Sequence, residues 1–279
     1  MIACAAVSAA LVFPATLTAQ AWLPPPGEGT LSITYQGLFS DTHLDRSGQP
    51  FNPAEIRGNT GLFGMDYGLK ERLALDVKVA WVANRYRGND LLHGPVDTGQ
   101  YHSTLQDARI ALRYQLLSHG AWAITPVVSA ILPTHLYETR GHSAPGRHLK
   151  ALQLGLGVGR DVAIGSRAAY LQGQYSYAIV ERVENMYIDR SSADVELGVA
   201  LVPRLMTTAA AALQRTHGGL EFPLPRDEHF HEFFAFHDRV ARANFLLFTT
   251  GGTFRAAEAI DIYATVVWTV SGQNTHAIK

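Results

Sequence analysis

Charged and amide residues recur in this chain at every second position. Asp76 and Lys78 flank Val77, Arg109 and Arg113 follow Asp107, Gln172 and Gln174 flank Gly173, and Asp194 and Glu196 flank Val195. Gln153, Arg242 and Asp261 fall into the same spacing. Successive side chains of a strand point to opposite faces, so this pattern gathers polar groups on one side of a sheet. Charges of both signs on neighbouring strands can line a polar path or bind a solute. They can equally brace one another, because an unpaired charge at low dielectric is costly.

Other constellations are weaker. The segment 228–238 (EHFHEFFAFHD) carries His229, His231 and His237. Two histidines at i and i+2 on an extended segment can chelate, but spacing fixes no third ligand, so no metal is expected. Phe230, Phe233, Phe234 and Phe236 fall in the same predicted outer loop, where an exposed aromatic cluster is costly. They are expected to pack into a mouth as a hydrophobic gate or as a cap. Gly141-His142-Ser143-Ala144-Pro145 approaches the Gly-x-Ser-x-Gly nucleophile motif, but Pro145 replaces the last glycine. The motif also lies in a loop, without the strand–turn–helix that its chemistry needs. No catalytic residue and no cofactor are expected. Gly155, Gly157 and Gly159 alternate within a strand, which suits a crowded inner face better than a phosphate loop.

Strands must position these groups, and their pattern is the dominant signal. Leu73, Leu75, Val77, Val79 and Trp81 alternate with Ala74, Asp76, Lys78 and Ala80. Similar splits run through 107–115, 151–158, 170–179, 192–201 and 260–270. The predicted strands cover 30–39, 55–67, 73–84, 105–117, 122–133, 149–160, 168–181, 190–202, 205–216, 239–254 and 259–272. Strands of about 10 to 14 residues exceed those of soluble sheets and suit a tilted crossing of a bilayer. Pro126 cannot donate to a ladder, so a bulge is expected there.

Connections alternate between short and long. Gly68–Arg72, Ser118–Gly120, Val162–Ser166, Pro203–Arg204 and Arg255–Glu258 are short; Ser40–Pro53, Arg85–His102, Thr134–His148, Arg182–Asp189 and His217–His237 are long. Short periplasmic turns and long outer loops are the habit of outer-membrane barrels. The expected fold is therefore all-β, a transmembrane antiparallel up-and-down barrel. Eleven strands are counted, whereas bacterial barrels normally have an even number. The count predicts a barrel of about twelve, with the given sequence stopping short of a closing strand, or with a strand overlooked near Trp22 or within 217–238.

The 279 residues carry a net charge of −1, with no concentration of Lys and Arg, which excludes a nucleic-acid partner. Ile2–Leu17 is apolar or small, and Ala19-Gln20-Ala21 is a cleavage triplet, so 1–21 reads as a signal peptide and 22–279 as the barrel. The one cysteine, Cys4, lies in that leader, leaving no disulfide or thiolate site. The expected location is the bacterial outer membrane, and the expected partners are its lipid and a small solute.

Several short motifs carry a family resemblance: Trp22-Leu23-Pro24-Pro25-Pro26-Gly27-Glu28-Gly29, Tyr67-Gly68-Leu69-Lys70-Glu71-Arg72, Gln106-Asp107-Ala108-Arg109, Pro133-Thr134-His135 and Gly272-Gln273-Asn274-Thr275-His276. Together they resemble the outer-membrane transporters linked to the meta-pathway of phenol degradation, themselves distantly similar to long-chain fatty-acid and toluene channels. The resemblance spans about residues 22–276. It implies a passive channel for small solutes, hydrophobic or aromatic ones among them. The alternatives are a lipid-acting outer-membrane enzyme and a structural barrel with a filled lumen.

Overall fold

A computed structural model describes residues 21–51, 54–88, 94–222 and 237–279. The expected leader therefore lies outside the described residues, apart from Ala21. Among them no helix is long and apolar enough to cross a membrane. The chain is nearly all β. Its strands are β1 (Gly29–Ser40), β2 (Thr42–Leu44), β3 (Pro50–Phe51), β4 (Glu55–Lys70), β5 (Leu73–Arg87), β6 (His102–Leu105), β7 (Ala108–Tyr114) and β8 (Leu117–His119). They continue as β9 (Trp122–Leu132), β10 (Ala151–Ile164), β11 (Arg167–Val180), β12 (Ile188–Val202), β13 (Leu205–Gly218), β14 (Asn244–Ala257), β15 (Ile260–Gln273) and β16 (Thr275–Ala277).

The main sheet runs β1-β4-β5-β7-β9-β10-β11-β12-β13-β14-β15, each strand antiparallel to the next. This is the up-and-down architecture of an outer-membrane β-barrel. β6 and β8 continue the β7 strip at its two ends, pairing β5 and β9. A small sheet β16-β2-β3 lies off the main path. The first and last long strands do not pair with each other. They meet where Thr34 and Tyr263 share a hydrogen bond across the seam. Higher in the seam, Ile278 N donates to Thr269 Oγ1 at 2.9 Å and Lys279 N to the Phe39 carbonyl at 3.4 Å.

Side-chain alternation decides what the sheet separates. Leu152, Leu154 and Leu156 on β10, Ile110 and Leu112 on β7, and Ile262, Val266 and Val270 on β15 all face outward and are exposed. The residues between them face inward. An exposed apolar band around a polar interior is the outer-membrane arrangement, in which lipid takes the place of a core. The short turns, Glu71–Arg72, Gly165–Ser166, Pro203–Arg204 and Glu258–Ala259, share one end with the N-terminal stretch, where Gly27 N donates to the Gly68 carbonyl. Gly165 takes φ +62°, the left-handed conformation that a two-residue hairpin of this twist requires.

The bulge expected at Pro126 is present on one neighbour. β9 pairs continuously with β10, Leu156 opposite Pro126, but against the other strip the register shifts by one residue between Arg113/Val127 and Leu117/Ile124, where β7 ends at Tyr114 and β8 begins at Leu117. Two expectations change. The strand expected from 239 starts at Asn244, because His237–Val240 forms one helical turn and Ala241 bridges Leu220. No long strand forms at Trp22 or at 219–222; the rest of the expected stretch up to 236 lies outside the described residues.

Candidate functional site

The inner wall is built chiefly by β4, β5 and β7 on one side and β10, β11 and β12 on the other. Register sets Lys78 opposite Arg109, and Asp76 opposite Ala111. Arg109 Nη1 reaches back to Asp76 Oδ1 at 2.5 Å, and Lys78 Nζ lies 3.5 Å from Asp76 Oδ2. One carboxylate thus serves two cations, all three buried in the wall. Arg113 pairs with Asp66 of β4 at 2.5 Å, with both carboxylate oxygens in reach of one terminal nitrogen. Across the lumen, Glu196 accepts from the Tyr170 hydroxyl at 2.7 Å and from Gln172 Nε2 at 2.9 Å. Gln153 links Ser129 to Ser176. Gln174 is buried on the same face, and Asp194 keeps one buried carboxylate oxygen without a hydrogen-bond partner among the described residues.

The short-turn end of this lumen is filled by the start of the described chain. Ala21 is buried, and its carbonyl accepts from Thr125 Oγ1 at 2.5 Å and Gln115 Nε2 at 3.3 Å. Its N–H donates to Gln172 Oε1 at 3.2 Å, Leu23 N donates to Gln115 Oε1 at 3.3 Å, and Arg113 Nη1 donates to the Trp22 carbonyl at 3.4 Å. The Trp22 ring meets Tyr170 edge-on with centroids 6.3 Å apart. Gly159 supplies the room: a Cβ there would stand 2.5 Å from Ala21 Cβ and 2.6 Å from the Trp22 ring. No regular strand holds Ala21 to Leu23, so side chains of the wall provide these anchors.

The opposite end is folded over by the long loops. Asp97 is the hub: its carboxylate accepts from the N–H groups of Gly94, His142 and Ser143 at 3.0, 2.9 and 2.9 Å, and from Ser143 Oγ at 3.0 Å. Burial alone would raise its pKa, but the hydrogen bond and charge of His142, with the backbone donors, hold it well below the usual carboxylate range. Tyr137 donates to Asp107 at 2.6 Å, closing the loop 133–150 onto the barrel. Arg147 is fully buried; that burial, opposed by Asp238, lowers its pKa to about 10. Its Nε and Nη1 have no hydrogen-bond partner among the described residues.

Four histidines converge beside Arg147. His43 on β2 and His276 on β16 are cross-strand partners with ring centroids 3.5 Å apart. His142 stacks on Tyr86 at 4.2 Å, and His237 lies 4.5 Å from His142. Burial first, and then the neighbouring imidazoles, holds His43 and His276 well below the usual histidine pKa, so both rings are neutral at pH 7. The rings line an open pocket of about 660 Å³, together with Phe222, Phe245 and Asp238 among others.

The expected inner-wall residues thus separate into two groups. Asp76, Lys78, Asp107, Arg109, Arg113, Gln153, Gln172, Gln174, Asp194 and Glu196 all face inward. Arg242 does not: it sits ahead of β14 on the outer rim, half-exposed, paired with Glu221 at 2.8 Å. Asp261 is also displaced, because it falls at the start of β15 beside a two-residue turn, where it pairs with Arg255 at 3.0 Å in the open. Phe230, Phe233, Phe234 and Phe236, with His229 and His231, lie outside the described residues. Sequence reasoning missed Asp66, Gln115 and Thr125, which lie on inward positions of their strips. It also missed Asp97 and the convergence of His43, His142 and His276 with His237, which no local spacing encodes.

No family model matches this chain, and no curated protein does. Among solved structures, the COG4313 outer membrane channel from Pseudomonas putida F1 superposes with a TM-score of 0.69 and 13% identity over 96% of each chain. OmpT, an outer membrane protein of Vibrio cholerae, aligns with a TM-score of 0.36 and 12% identity over 90% of this chain and 95% of its own. The loop L8 deletion mutant of OmpT aligns at 0.37 and 12% over 90% and 96%. The first likeness shows the fold and, with the apolar outer band, an outer-membrane location. The two OmpT alignments are too loose to carry any argument.

Proposed function

We propose that the chain is a passive channel for small solutes across the outer membrane, working without catalysis or a cofactor. The observation that carries this reading is the short-turn end of the lumen. Beyond the expected cleavage point it is filled by Trp22 and Leu23, held by hydrogen bonds to Arg113 and Gln115 that can be exchanged for water, rather than by a packed apolar core. A polar wall behind a removable segment is a gate. The preference for hydrophobic or aromatic solutes rests on the resemblance to the phenol meta-pathway transporters, and the superposed channel from Pseudomonas putida supports the wider class. A second reading, a structural barrel with a filled lumen, is favoured by the burial of Asp76, Lys78 and Arg109.

Swelling of proteoliposomes in solutes of graded size and polarity separates the two. A channel gives solute-dependent permeation that rises when Arg113→Ala loosens the Trp22 carbonyl. Equal impermeability of the wild type and of Arg113→Ala, in protein shown to be folded, leaves the filled barrel. Release of fatty acid from the liposomes in place of permeation favours a lipid-acting enzyme.

A further inference from the structure

We infer that His43, His142 and His237, with His276 beside them, form a binding site for one imidazole-preferring divalent metal ion, of which zinc is the probe, at the outer mouth of the barrel. One ligand nitrogen from each of the first three comes together with all of them within 4.8 Å of one another. Around a tetrahedral zinc with Zn–N bonds of about 2.0–2.1 Å, nitrogens stand about 3.3 Å apart, so the rings need to draw in by roughly 1.5 Å or less. Rotation of side chains carried on loops supplies that.

Three further features belong to a metal site rather than to casual packing of rings. The first is that one of the imidazoles is backed by a carboxylate: His142 Nδ1 lies 3.2 Å from Asp97 Oδ2 in hydrogen-bonding geometry. A carboxylate behind a histidine fixes the tautomer and leaves the other ring nitrogen for the metal. Asp97 is itself held by three backbone N–H groups, so His142 is the pre-oriented member. The second is position: His142, His237 and His276 are buried, and His43 is partly so, around an open pocket that gives an ion a way in. The third is chemistry: an all-imidazole donor set suits zinc, copper or nickel and is poor for calcium or magnesium, which want oxygen.

The ligands come from four separate stretches of chain: β2, the loop 133–150, the helical turn after residue 236, and β16. An ion bound among them would staple the outer loops to one another and to the strand pair that bridges β1 and β15. The site stands on its own geometry and does not depend on the chain conducting solutes.

The test is zinc titration of the full chain, folded in detergent, by competition with a chromogenic chelator. One zinc per chain is expected. Affinity should fall at least tenfold in His142→Ala and His237→Ala, fall about 10- to 100-fold in Asp97→Asn, and stay unchanged in His119→Ala, whose histidine lies on the opposite end in β8. X-ray absorption of the zinc-loaded wild type needs no variant and reads the ligands directly; three or four imidazoles at about 2.0 Å are expected. A wild type that binds zinc no better than the folded His43→Ala/His142→Ala double variant, or a spectrum dominated by oxygen ligands, overturns the proposal.

Discussion

Substituting Gly159 by alanine tests the gate most directly, since the change adds one methyl group and no charge. That methyl would stand 2.6 and 2.7 Å from two carbons of the Trp22 ring. Carbon atoms in contact prefer about 3.5–4.0 Å, so roughly 1 Å of overlap must be relieved. β10 is fixed by pairing on both sides, so Trp22 and Leu23 move instead. Two hydrogen bonds hold them, at about 1 kcal/mol net each, hence about 2 kcal/mol. Ordering two backbone residues costs about 2–4 kcal/mol. Closed and open states therefore lie within a few kcal/mol. An overpacking cost of about 1–3 kcal/mol then shifts their ratio about 5- to 150-fold toward open, at 1.4 kcal/mol per factor of ten.

Single-channel recording in planar bilayers reads that ratio as the fraction of time spent conducting. Gly157→Ala is the graded comparison on the same strand face, because its new methyl would meet nothing closer than the Thr125 carbonyl at 3.5 Å and should change little. An open fraction for Gly159→Ala equal to that of the wild type, in protein whose strands are intact by circular dichroism, refutes the gate.

Other outcomes follow from the same geometry. Asp76→Asn leaves Lys78 and Arg109 as adjacent buried cations without their shared carboxylate, which should cost about 3–5 kcal/mol in urea unfolding from lipid vesicles; a loss under 1 kcal/mol would mean that water already screens them. Leu154→Arg places a charge in the outward band and should destabilise by about 2–4 kcal/mol if it sits near the bilayer midplane, whereas the same substitution at the exposed turn residue Glu258 should do nothing measurable. Asp97→Ala removes the acceptor shared by Gly94, His142 and Ser143, so amide exchange should accelerate at 94–97 and 141–144 while the strands stay protected; unchanged exchange there would show that the loops are held by other contacts.

Much of this was legible in the chain itself, for a physical reason. In a barrel the interior is decided by backbone parity, so Asp76, Lys78, Arg109, Arg113, Asp194 and Glu196 could be placed inside without knowing any contact. Parity fails where a strand has no polar signature. β4 turns Ile56 and Leu62 inward and Asn59 and Gly61 outward, so its alternation is blurred and Asp66, the partner of Arg113, was lost in it. It fails also at strand ends, where inward-facing groups reach open water, as Asp261 does beside its turn, and Arg242 lies just ahead of its strand. The histidine cluster was out of reach for a different reason. Its members are separated by 99, 95 and 39 positions in the order His43, His142, His237, His276, and loops rather than periodicity bring them together. Of the four, only His237 falls in the histidine-rich segment with His229 and His231.

The seam between β1 and β15 has a consequence for polarity. Eleven alternating strands leave the first and the last running the same way, so these two edges cannot zip to each other in the antiparallel manner of every other neighbour in the sheet. At the outer rim Ile278 contacts Thr269, and Lys279 contacts Phe39, across that seam. Inside hydrocarbon, edges left bare would strand their amide groups without water, at several kcal/mol apiece. The tightness of the whole cylinder therefore hangs on that single join.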